Sequence, residues 1–304
     1  MSERRQAALE TEGLSKSYGT TQALVDLDLS VERGEVFGFL GPNGAGKTTM
    51  IRTVLDLIRP SRGRAWILGL DCHAEAVEIR RHIGYLPADL AMYPKLTGED
   101  TLRYFAHLRG GVDWDHVETL RERLGADLTK KVADYSSGNR QKVGLIQALM
   151  SRPELVIMDE PSTGLDPLVQ QEFQATLREI AGEGRTVFLS SHTLSEVQRV
   201  ADRVGIIRNG RLITTESVHA LRSKAIRRVE LVFAEPAPTE DFARLDGARD
   251  VQAHGHTVRL AFDGNMDELL RVATGRHHLV DISSEEADLE EIFLAYYRTE
   301  EKSA

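Results

Sequence analysis

The 304-residue chain has a single cysteine, Cys72, so no disulfide can form within it, and a reducing compartment is the expected setting. It has no apolar run approaching the roughly 18 residues that a membrane span requires, and its opening stretch MSERRQAALE is too polar for a secretory leader. A basic excess is also missing: 38 Lys and Arg stand against 47 Asp and Glu, giving a net charge of -9. No global positive field is there to hold nucleic acid or an anionic membrane surface, so membrane attachment is expected only through a protein partner. Internal repeats and low-complexity tracts are absent as well. The remainder is ordinary for a globular chain, with 41% hydrophobic and 28% charged residues and length for two domains.

Apolar residues alternate at Val25, Leu27, Leu29 and Val31, the period of a half-buried antiparallel strand. EVFGFL (35–40), LVIMD (155–159) and TVFLS (186–190) do not alternate and read as strands buried on both faces, separated by segments of helical spacing. That succession predicts an α/β fold. GEDTLRYFAHLRG and DWDHVETLRERLG carry helical spacing between the first and second buried strands, which predicts a helical insert over roughly 89–152. Past HALRSK the composition changes and EPAPTED gathers prolines and acids, so a domain boundary is expected near residue 222, giving 1–222 and 223–304. The later part reads β, α, β, β, α, β, a small α+β unit of ferredoxin-like order. A last helix follows, with Leu289, Ile292, Phe293 and Tyr296 on one stripe that is expected to pack on its own sheet.

GPNGAGKTT, residues 41 to 49, follows a buried strand and opens a helix, which satisfies G-x-x-x-x-G-K-[ST] through Gly41, Gly46, Lys47 and Thr48. The loop Gly41, Pro42, Asn43, Gly44, Ala45, Gly46, Lys47, Thr48, Thr49 is expected to wrap phosphate with backbone N–H groups. Lys47 would reach the β- and γ-phosphates and Thr48 would ligate Mg2+. LVIMDEPSTGLDP places Asp159 at the end of a buried strand, where it suits the magnesium, and Glu160 beside it, where it suits a general base for the attacking water. An isolated acid pair of this kind can also cap a turn. Ser136 and Gly138 in YSSGNRQ open a further helix and form a second anion site. With one phosphate loop per chain, that site calls for nucleotide held by another subunit, in a head-to-tail pair.

The order GPNGAGKTT, YSSGNRQ, LVIMDEPSTGLDP, SSHTLSEV resembles the ATP-binding cassette of ABC transporters over roughly residues 8 to 220. The resemblance implies a P-loop NTPase of mixed sheet core, antiparallel β subdomain and helical subdomain, hydrolysing ATP with Mg2+. It implies that Tyr18 stacks on adenine, that His192 contacts the γ-phosphate and that Asp166 sits at a dimer seam, with a helix N-cap before Pro167 as the plain alternative for Asp166. YSSGNRQ departs from the family signature LSGGQ: Tyr135, Ser137 and Asn139 are replacements, whereas Ser136 and Gly138 are kept. Ala88 stands where the family has a glutamine that touches magnesium and water, and either Asp89 or water is the expected substitute.

ADLAMYPKLTGEDTLRYFAHLRGG and DLEEIFLAYY are similar to segments of ABC-2 type antibiotic and drug exporter subunits. The resemblance implies a separate transmembrane permease, a second copy or homologous cassette, no nucleic acid, and a place in the cytoplasm against the inner face of the cell membrane. The competing class is a soluble cassette ATPase of DNA repair, chromosome maintenance or translation. Lys47 and Ser136 lie only 89 positions apart without sustained heptads, which disfavours the coiled-coil chromosomal type.

Overall fold

The computed structural model describes residues 7–223, 227–236 and 239–285. These fall into two compact units, Met1–Ser217 and Val218–Ala304. The first opens with β1 (Ala7–Tyr18), β2 (Thr21–Glu32), β3 (Val36–Leu40), α1 (Lys47–Val54), β4 (Arg62–Ile67), β5 (Leu70–Asp71), α2 (Ala76–His82) and β6 (Ile83–Leu86). α3 (Gly98–Leu108), α4 (Trp114–Leu124) and α5 (Ser137–Leu149) fill the stretch that the sequence marks as a helical insert. β7 (Leu155–Asp159), α6 (Pro167–Gly182), β8 (Thr186–Ser191), α7 (Leu194–Val197), β9 (Arg203–Arg208) and β10 (Arg211–Ser217) complete the unit.

Two sheets result, and the sequence pattern explains which strand joins which. β2 alternates buried and exposed positions from Leu27 to Glu32 and pairs antiparallel with β1, with β4 and β5 beyond in the order β2-β1-β4-β5. β3, β7 and β8 are buried at every residue, as strands covered on both faces must be, and they lie in a six-stranded sheet of order β10-β9-β3-β8-β7-β6. In it β9, β3, β8, β7 and β6 run parallel and β10 turns back antiparallel at the edge. Phe37 and Phe39 of β3 meet Phe188 of β8 at ring centroid separations of 5.9 and 5.6 Å, inside one core that also takes in Leu14, Leu27 and Met50. Truncating one such ring to Ala would cost about 3–5 kcal/mol, so the adjacency of β3 and β8 is strongly held.

The second unit holds α8 (Val218–Ser223), β11 (Arg227–Phe233), α9 (Thr239–Ala243), β12 (Ala248–His254), β13 (Thr257–Phe262), α10 (Met266–Arg276) and β14 (Leu279–Glu285). After α8 the element order is βαββαβ. The sheet order β12-β13-β11-β14, antiparallel at every pairing, is that of the split βαβ sandwich. Val229, Leu231 and Phe233 of β11 pack with Val258, Leu260, Phe262 and the helix residues Phe242 and Leu269 in a separate core. The stripe Leu289, Ile292, Phe293 and Tyr296 lies outside the described residues.

Candidate functional site

Three chain segments leave the same edge of the parallel sheet side by side. The loop after β3 runs into α1, β7 ends at Asp159, and β8, which lies between them, ends at Ser191. Register brings these ends level: Leu40 is opposite Ser191, and Asp159 is opposite Ser190. The carboxyl ends of parallel strands are where such sheets take ligands.

The phosphate loop is built around backbone that only glycine allows. Gly46 has φ of +111°, and a Cβ there would lie 2.6 Å from the Ala23 carbonyl oxygen. It caps α1 without any side-chain hydrogen bond, so N–H groups of the first turn remain for a ligand. Lys47 is buried and folded back over the loop, its Nζ donating to the carbonyl oxygens of Gly41 at 2.6 Å and Pro42 at 3.3 Å. Thr48 and Thr49 are half-buried beside it on the same turn. Pro42, Asn43 and Gly44 form the exposed rim of the loop, and Ala45 is packed beneath it.

The same Nζ lies 3.2 Å from Glu160 Oε1, and Glu160 Oε2 accepts from His192 Nδ1 at 2.8 Å. Lys47, Glu160 and His192, 145 positions apart at the extremes, thus form one continuous polar cluster. Glu160 has φ of +52°, and its N–H points back to Ser190, whose carbonyl and hydroxyl oxygens are each at 3.2 Å. Next to it Asp159 is fully buried. Ser190 Oγ donates to its Oδ1, while Oδ2 is buried without a hydrogen-bond partner. A buried carboxylate oxygen with nothing bound is a strong acceptor awaiting a donor or cation. Ser190 was not singled out in the sequence. Its role appears only when β8 is set against β7.

A second cleft, of about 580 Å3, is lined by Ser136, Ser137, Gly138, Asn139, Lys142 and Asp166. Ser136 caps α5 by accepting from the Asn139 N–H at 3.2 Å, which leaves its hydroxyl hydrogen to donate elsewhere. Gly138 is required by contact, since a Cβ would lie 2.8 Å from the Gly164 carbonyl oxygen. Asn139 turns its amide inward, with Oδ1 accepting from the Asp127 N–H and Nδ2 donating to the Asp127 carbonyl, both at 2.8 Å. Asp166 is the N-cap of α6, accepting from the Val169 N–H at 3.0 Å with Pro167 in the first turn, and its other oxygen is 3.8 Å from Lys142 Nζ. The cleft and the Lys47 cluster are thus joined by the loop 160–166.

Tyr18 closes β1 and is 51% exposed, with the Lys16 ammonium 5.1 Å from its ring centroid. Ala88 and Asp89 are both exposed just past β6. Leu86 pairs with Met158, so these two residues emerge beside the end of β7 that carries Asp159 and Glu160. Among the described residues no group of three or more His, Cys, Asp and Glu side chains is arranged to hold a metal ion, and no helix is long and apolar enough to cross a membrane.

The family model described as ABC transporter matches residues 24–163. The chain is 38% identical over 234 residues to the daunorubicin resistance ATP-binding protein DrrA3 of Streptomyces coeruleorubidus, covering 75% of this chain and 74% of that one. It is 36% identical over 219 residues to the bacitracin transport ATP-binding protein BcrA of Enterococcus faecalis, covering 71% of each. A solved ATP-binding subunit of an ABC transporter superposes with a TM-score of 0.65 at 33% identity, over 71% of this chain and 92% of that one. With a phosphate loop, a strand ending in buried Asp159 followed by Glu160, and a histidine just past β8 joined in that cassette fold, the chain belongs to the ABC transporter family as an ATP-binding, ATP-hydrolysing subunit.

Proposed function

We propose that this chain energises the efflux of an antibiotic or similar small molecule by hydrolysing MgATP between two cassettes and driving a separate transmembrane permease from the cytoplasmic face of the membrane. The relatives named for bacitracin transport and daunorubicin resistance support export over a soluble, non-transport role. The observation that carries the reading is a pair of unlike helix starts on one chain, each suited to an anion. The phosphate loop has Lys47 and the free first turn of α1, and the cleft at Ser136 has a helix start and a free hydroxyl proton but no loop of its own. Two chains arranged head to tail give each nucleotide one site of each kind. The domains proposed for the chain are a cassette at 1–222 and an accessory unit at 223–304.

In this reading the Gly41–Thr49 loop grips the phosphates. An arriving phosphate offers Lys47 a full negative charge in place of two neutral carbonyls. Tyr18, half exposed at the end of β1, would offer its ring to adenine. Asp159 suits Mg2+ because its Oδ2 is a buried, unpartnered carboxylate oxygen, and Thr48 adds a hydroxyl from the loop. Bound there, the ion would neutralise charge on the β- and γ-phosphates. Glu160 accepts the proton of the attacking water through the carboxylate that Lys47 and His192 now hold, and His192 turns to the γ-phosphate. Ser136 and Gly138 close from the partner chain, Asn139 bracing their turn against Asp127, with Asp166 at the seam.

Binding and turnover, measured separately, test these roles. Lys47→Ala should lose both. Glu160→Gln should bind MgATP normally while turnover falls by roughly 10²–10⁴-fold. Wild-type turnover in Glu160→Gln would reject the assignment of the base.

A further inference from the structure

The loop 160–166 connects Glu160 to the Ser136 cleft, and α5 holds it at three successive points. At the helix start, Gly138 lies against the Gly164 carbonyl, close enough to leave no room for a Cβ. One turn on, Gln141 is only 8% exposed, and its Nε2 donates to the Pro161 carbonyl at 2.8 Å. Lys142 then reaches Asp166 at 3.8 Å and the Gly125 carbonyl at 3.3 Å. Of these, the Gln141 bond acts nearest the Lys47 cluster, because Pro161 follows Glu160 directly. Glu160 is in the left-handed region, a conformation that persists for a non-glycine residue only when neighbours over-determine it. Ser190 secures its N–H side, and Gln141 secures the carbonyl of the residue after it.

We propose that Gln141 is a positioning residue that makes the orientation of Glu160 depend on where α5 stands. One chain's Glu160 is then set for hydrolysis only when that chain's own Ser136 turn has closed on nucleotide held by its partner. This rests on the reading of Glu160 as the base and of the Ser136 turn as a site used by a second cassette. It adds the route by which the two sites of a pair act together, through a rigid helix and a single buried amide-to-carbonyl bond. α5 moves as a body, so a shift at Ser136 carries the Gln141 amide, and with it the Pro161 carbonyl, by a similar distance. Displacements of about 1 Å at a reacting group can change rate by roughly 10²-fold.

Two substitutions of nearly the same shape test the bond. Gln141→Met removes the donor. It should lower kcat by about 10- to 100-fold, with KM and ATP-driven pairing close to wild type. Gln141→Glu places a carboxyl against the Pro161 carbonyl. Ionised, it repels the carbonyl, and protonated, it can donate to it, and burial raises its pKa. Its kcat relative to wild type should therefore recover as pH falls, whereas the Met variant's ratio stays flat. If the Met protein does not fold, the pH profile of the Glu variant decides alone. Combining Gln141→Met with Ser136→Ala tests transmission: two steps on one route should lose together little more than the worse single variant.

Wild-type kcat in Gln141→Met, a flat ratio for Gln141→Glu, or losses that multiply in the double variant would each overturn the proposal. Unimpaired turnover in Glu160→Gln would instead remove the reading on which it rests, and that result is distinguishable because it leaves the Gln141 variants' kcat unexplained rather than unchanged.

Discussion

Ser190 illustrates how one hydroxyl can prepare a carboxylate for a cation without touching the nucleotide. Its Oγ donates to one oxygen of fully buried Asp159 and also accepts from the Glu160 N–H, leaving the other Asp159 oxygen unpartnered. Ser190→Ala should cost about 1–3 kcal/mol, because it strands a buried carboxylate oxygen. It should also raise the Mg2+ concentration needed for half-maximal turnover. Denaturant unfolding and a Mg2+ titration of ATPase activity check the two effects, and a variant with an unchanged Mg2+ requirement would show that Ser190 only packs. Lys47, Asp159, Glu160 and His192 were legible in the sequence because each lies inside a motif of set order. Ser190 and Gln141 were not. Their partners lie 31 and 20 positions away, so their bonds depend on strand and helix placement that local spacing does not encode.

At the scale of elements, the buried strands were legible because parallel strands covered on both faces lose the alternation that β2 retains. Their order in the sheet was not. That β8 sits between β3 and β7 follows from packing such as Phe37 and Phe39 on Phe188, and it is this order that sets His192 against Glu160. The turn after β6 carries Ala88, the position where the family resemblance leads one to expect a glutamine. Both Ala88 and Asp89 are exposed past β6, whose last residue pairs beside the Asp159 end of β7, and Asp89 is proposed to lend the polar group there without being needed for phosphate binding. Asp89→Ala should weaken permease-stimulated turnover while ATP affinity and basal rate change little, and Ala88→Gln should be tolerated. ATPase assays with and without the permease check this. Stimulation unaffected by Asp89→Ala would leave water as the substitute.

For the whole molecule, the shift in composition near EPAPTED signals a second unit, and the βαββαβ order of that unit was readable from alternation and turn residues. Its sheet order, with β11 and β13 at the centre, followed only from the ferredoxin-like pattern that this succession matches, because local spacing does not encode non-local pairing. The two units have separate apolar cores, and every residue proposed for the nucleotide sites precedes Ser217. A chain ending at residue 222 should therefore still unfold cooperatively and bind ATP, and loss of either would place part of the cassette's stability in the later unit. In the proposed arrangement neither nucleotide site is complete within one chain. Sizing of Glu160→Gln in solution, with and without saturating MgATP, is the decisive measurement. The mass should double on adding MgATP and revert when nucleotide is removed. A protein that binds MgATP yet stays monomeric, alone and with its permease, would contradict the shared site.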